Sequence, residues 1–155
     1  MDSVKKTKTL ILPCQLDSSG QLRWILSSLA YDYGFSEDEQ DSIVIASGEA
    51  LANIFEHAYR DTPAPPPLEI LISTNDDSFT VDLFDEGISF DFSNYKMPEF
   101  PQHYIDGNER GAGVYIIHKC MDEVKYDRLP NERNRTRMVK RRHPARETAD
   151  LSPTS

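Results

Sequence analysis

The sequence predicts a single α/β domain that combines short strands with helices along the chain. Three observations predict it. At 155 residues the chain has the length of one domain, enough to bury roughly 68–70% of its unfolded surface. Between Ile43 and Arg60, the residues Ile43, Ala46, Ala50, Leu51, Ile54 and Ala58 recur at helical spacing and form one apolar stripe. Short apolar, β-branched runs elsewhere are bounded by proline and turn residues at strand length.

The elements follow in order. Thr7 to Pro13 reads as a first strand ending at a proline. Ser18 and Ser19 are candidate N-caps for a helix whose Leu22, Ile25, Leu26, Leu29, Ala30 and Tyr33 share a face. Gly34 stands where a left-handed residue closes a helix. Ser36 and Glu39 have capping-box spacing and open a second helix running to about Tyr59. Thr62 to Pro67 is a stiff connector, because proline lacks the N–H and restricts the residue before it.

Two strands come next, Leu68–Ser73 and Phe79–Phe84, joined by the turn-rich Thr74–Ser78. Phe79, Val81 and Leu83 share a face, and Asp85 continues it at the strand end, where a buried carboxylate needs a partner. Phe92 to Arg110 has no periodicity, and a connection that long inside a domain is usually a lid or binding loop. Gly111-Ala112-Gly113 opens a third helix with Val114, Ile117, Met121 and Val124 inward. Lys125–Arg128 and Thr136–Arg142 form a last hairpin around Pro130-Asn131, and the polar residues 143–155 are expected to be a disordered tail after a domain of residues 1–142.

The formal charge of −9 argues against nucleic acid or anionic membrane as the main partner. Cys14 and Cys120 lie far apart without CxxC spacing and read as core residues of a reducing compartment. The N-terminus lacks the apolar run of a signal peptide, so a soluble, cytoplasmic protein is expected. His57, His103 and His118 are too dispersed for a zinc site.

Three stretches carry chemistry. Glu49, Asn53 and His57 follow at i, i+4 and i+8 along one edge of the apolar stripe. Asn53 offers a hard carboxamide oxygen suited to Mg²⁺ bridging phosphates, and Glu49, one turn away, is placed to take a proton from an attacking hydroxyl. Asp85 is suited to accept a hydrogen bond from the adenine amino group, while Gly87 lets the purine approach the backbone. Gly111, Ala112 and Gly113, continuing into Val114, put backbone N–H groups of a helix start against phosphate oxygens, and Arg110 adds charge.

The runs E-A-L-A-N-I-F-E-H-A-Y, D-E-G-I-S-F-D and R-G-A-G-V-Y-I-I resemble, in that order, the N, G1 and G2 boxes of the GHKL ATPases. Within that superfamily the pattern is most similar to the bacterial anti-sigma-factor serine-protein kinases, over roughly residues 8–142. The resemblance implies a Bergerat-type ATP-binding fold, a two-layer α/β (α+β) sandwich with a mixed sheet covered on one face by about three helices. It implies ATP and Mg²⁺ as cofactors and a homodimer that binds a sigma factor. It also implies phosphorylation of a serine on an anti-anti-sigma partner.

Carried onto this chain, Glu49 is the general base, Asn53 the Mg²⁺ ligand, and His57 lies at the ATP site. Asp85 and Gly87 hold adenine, Arg110 to Val114 the phosphates, and Phe92–Arg110 is the lid; Arg23 is a candidate phosphate contact from the first helix. Ser89 stands where the family often has a second glycine, a change that narrows the pocket or alters the hinge, and Asn108-Glu109 replace lid glycines. These departures motivate a second reading, a non-catalytic nucleotide-dependent module that binds a regulator in a partner-switching system. A histidine-kinase catalytic domain ranks last, because no phosphoacceptor-histidine helix pair is recognisable.

Overall fold

Five strands and three helices follow one another in the order that the sequence predicts, in a computed structural model that describes residues 6–89 and 112–143. The strands are β1 (Lys6–Leu12), β2 (Leu68–Thr74), β3 (Ser78–Asp85), β4 (Glu123–Arg128) and β5 (Asn134–Arg141). The helices are α1 (Ser18–Asp32), α2 (Glu37–Asn53) and α3 (Ala112–Cys120). The sheet order is β1-β2-β3-β5-β4.

Every pairing is antiparallel, so the expected mixed sheet narrows to an antiparallel one among the described residues. The reason is topological. The connection through α3 returns β4 in the direction of β3, but β5 folds back between them and separates the two parallel neighbours.

Alternation sorts the sheet into two faces. Ile70, Ile72, Val81, Leu83 and Met138 are buried beneath the helices, together with Leu22 and Leu26 of α1 and Ile43 and Leu51 of α2. α2 is the middle helix, packed against both α1 and α3. The opposite face carries cross-strand ion pairs, including a two-pronged Arg137–Asp82 bridge at 2.8 and 3.0 Å. Two more pairs flank it, Arg133 with Glu69 and Arg135 with Asp127.

Local signals explain most of the boundaries. Gly34 has φ +79°, and the bonds from Phe35 N–H to Ala30 and from Gly34 N–H to Tyr31 close α1 with a Schellman turn. Both bonds of the Ser36/Glu39 capping box are present. At the start of α1 the expectation is corrected: Asp17 is the N-cap, and buried Ser18 donates instead to the Pro13 carbonyl at 2.6 Å. Val124 is corrected too, since it lies in β4 and not on the third helix. There the pairing of β4 with β5, continued by the Asp122 N–H to Val139 bond, overrides helical continuation. Among the described residues, no helix is long and apolar enough to cross a membrane.

Candidate functional site

The second helix does not end as an α-helix. After Asn53 it widens into one π turn, Ile54–Ala58, closed by the Tyr59 N–H to Ile54 carbonyl bond at 3.1 Å. Such wide turns cluster at functional positions. This one carries the chain from a polar cluster at the helix edge to a second cluster at the end of β3.

The first cluster joins α2 to the start of α3. Glu49 and Asn53 are half-buried on α2, and Gly113 of α3 lies directly against them. A Cβ on residue 113 would sit 2.7 Å from Glu49 Oε2 and 3.6 Å from Asn53 Oδ1. Only glycine leaves that space open. The Asn53 amide nitrogen is buried with no hydrogen-bond partner among the described residues, an arrangement that normally costs about 1–3 kcal/mol unless something fills it. A cradle cleared of side chain beside a carboxylate and an unsatisfied carboxamide fits a polar ligand, and Asn53 Oδ1 is a hard oxygen that could hold a metal ion carried with it.

The second cluster surrounds Asp85. This carboxylate is buried at the end of β3, in line with Phe79, Val81 and Leu83. Its Oδ1 accepts from the Gly87 N–H at 2.9 Å and from Asn134 Nδ2 at 2.8 Å. Burial pushes its pKa up, against the pull of the Asn134 and Gly87 hydrogen bonds and the Arg128 charge. Gly87 is pressed on the backbone of Ala58, and the Ile88 N–H bonds to the Ala58 carbonyl at 2.9 Å. Tyr59 accepts from the Glu86 N–H at 2.7 Å, while Cys14 packs nearby, its thiol pushed up by burial and then by the Asp85 charge.

An open groove beside this cluster is bordered by Ala58, Tyr59, Thr62, Pro66, Glu86 and Gly87. It does not reach Asn53 or Gly113. The two clusters are joined through the π turn, not through one walled cavity among the described residues.

The other predicted positions divide clearly. Ala112 is half-buried in the first turn of α3, and Val114 is buried in its inner face. His57 is exposed within the π turn, where the regular α spacing that aligned it with Glu49 and Asn53 no longer holds. Arg23 is exposed on α1. Arg110, Gly111 and the predicted lid Phe92–Arg110 lie outside the described residues. The Ser89 hydroxyl donates to Asn134 Oδ1 at 3.0 Å and accepts from Arg128 at 2.9 Å.

Asn134, Arg128 and Tyr59 were not found from the sequence. A signal for Asn134 existed: it has the inward parity of Thr136 and Met138, and the β3–β5 register puts it opposite Asp85.

Comparison with known proteins shows the family and the fold. The histidine kinase-like ATPase domain family matches residues 12–140. The serine-protein kinase RsbW of Bacillus subtilis (strain 168) is 34% identical over 118 residues, covering 74% of this chain and 73% of that protein. Its namesake in Bacillus velezensis is 32% identical over 118 residues, with the same coverage of 74% and 73%. Among solved structures, the RsbU and RsbW domains of Rv1364c from Mycobacterium tuberculosis superpose with a TM-score of 0.63 at 14% identity. That match covers 91% of this chain but about a third (34%) of the other, and is a likeness of fold.

Proposed function

This chain belongs to the histidine kinase-like ATPase domain family, and from that premise we propose that it is an anti-sigma factor and serine-protein kinase. In this reading it uses ATP with Mg²⁺ to phosphorylate a serine of an anti-anti-sigma partner. The names of its relatives support the serine-kinase class. The observation that carries the reading to particular residues is the contact of Gly113 with Glu49 and Asn53.

ATP supplies a phosphoryl group already activated for transfer, so the protein has mainly to position it and neutralise charge. Asn53 is the residue suited to hold the metal ion, and the side-chain-free start of α3 lets backbone N–H groups meet phosphate oxygens. Asp85 and Gly87 receive the base. Glu49 takes the proton of the serine hydroxyl as its oxygen bonds to the γ-phosphorus. The bond to the bridging oxygen breaks, and ADP leaves with that electron pair. Sigma-factor binding, a homodimer, Arg110–Val114 as the phosphate segment and Arg23 as a further contact belong to the same proposal.

The test is transfer. Incubated with labelled ATP, Mg²⁺ and its cognate antagonist, the protein should label one serine. Glu49→Gln should abolish labelling while nucleotide binding persists. Tight nucleotide binding with no transfer to any such antagonist would instead favour the non-catalytic module.

A further inference from the structure

The carboxamide of Asn134 is fully buried, and both its ends are committed. Its amide group donates to Asp85 Oδ1 at 2.8 Å and to the Gly87 carbonyl at 3.0 Å. Its oxygen accepts from Ser89 Oγ and from Arg128 Nη1, each at 3.0 Å. Two donors and two lone pairs exhaust what a carboxamide has, so the group cannot be turned over without losing its partners.

The consequence falls on Asp85. Two donors converge on Oδ1, whereas Oδ2 has no partner among the described residues. A carboxylate held in this way presents one free oxygen that can only accept. Burial works against that state by favouring the protonated acid, which would present a donor.

Resting on the ATP reading above, we propose that Asn134 is a positioning residue that keeps Asp85 an acceptor, and so sets the preference for a 6-amino over a 6-oxo purine. Ser89 and Arg128 belong to the same device, since they are what fixes the carboxamide the right way round. Ser89, the departure from the glycine pattern, then has a role in holding the base-binding acid.

The experiment measures the dissociation constants of ATP and of ITP, its 6-oxo analogue, across pH. The proteins compared are the wild type, Asn134→Leu and, because Arg128 is exposed and its loss spares the core, Arg128→Met. The wild type should favour ATP. Asn134→Leu should lower the ATP-to-ITP preference by about tenfold or more, and its ATP affinity should recover as pH rises and Asp85 ionises again. Arg128→Met should shift both readouts in the same direction by less.

A merely structural role would weaken both nucleotides alike, without alkaline recovery. An unchanged preference in Arg128→Met and in any folded Asn134 variant would overturn the proposal while leaving the ATP site standing. If Asn134→Leu does not fold, Arg128→Met decides alone. A wild type that binds neither nucleotide would overturn the ATP reading, and this proposal with it.

Discussion

Glu49 and Gly113 approach so closely that a methyl group on residue 113 would lie 2.7 Å from the Glu49 carboxylate. The crowded atom is the end of a flexible side chain, so Gly113→Ala moves Glu49 and not the backbone. Stability should change by no more than about 1 kcal/mol. Serine phosphorylation should fall about a hundredfold, because a displaced base no longer meets the attacking hydroxyl. Urea unfolding together with a transfer assay checks this, and undiminished transfer would sink the assignment of Glu49.

Gly87 answers differently to the same change. A Cβ there would come within 2.6 Å of the Ala58 carbonyl carbon and 2.7 Å of its Cβ, a backbone neighbour that cannot rotate away. Gly87→Ala should cost about 1–3 kcal/mol and remove the ATP-induced rise in melting temperature. Retention of that rise would show that the base does not rest on this turn.

Asp85 makes stability depend on pH in a definite sense. Its folded pKa is raised above the ordinary 3.8, mainly by burial. Between those two values the folded state binds more protons than the unfolded chain, so stability declines as pH rises through the window. Asp85→Asn abolishes that term. The melting temperature of Asp85→Asn minus that of the wild type should therefore increase with pH from 3.8 upward. ATP affinity should drop at every pH. A flat difference would mean that the carboxylate is not penalised by burial.

The end of the last strand is pinned by Arg142. Its guanidinium donates to the carbonyls of Tyr33, Gly34 and Asp76 at 2.6, 2.9 and 3.0 Å and stacks on Phe35. Arg142→Ala should lower stability by about 1–3 kcal/mol. Lysine should restore only part of this, since it lacks the planar fork. Denaturant midpoints for the two variants decide it, and equal values for lysine and arginine would reduce the contact to simple charge.

What could be read from the chain was local. The Ser36/Glu39 box, the left-handed Gly34 and the inward run of Phe79, Val81, Leu83 and Asp85 depend on near neighbours, and each is realised. The contact of Asn53 and Glu49 with Gly113 was reached only through the order of three motifs, since no local rule brings residues 49 and 113 together. Strand order was invisible because it is set by pairings between distant segments. The π turn left no trace in the apolar spacing, which reads the same through Ile54 and Ala58 in either helix form. Asn134 fell in the turn before the expected strand Thr136–Arg142, and its place opposite Asp85 showed only once β3 and β5 were side by side.

The bond from Asn134 to Asp85 spans 49 residues, so the acid and its anchor are made at different moments of synthesis. A nascent chain still tethered to the ribosome with β5 in the exit tunnel has the helix edge and the strand end, but not the group that locks the acid. On the ATP reading, ligand capture is expected only once β5 has emerged and paired with β3. Arrested chains released only as far as β4 should retain no nucleotide on a filter, whereas chains extended past Arg141 should.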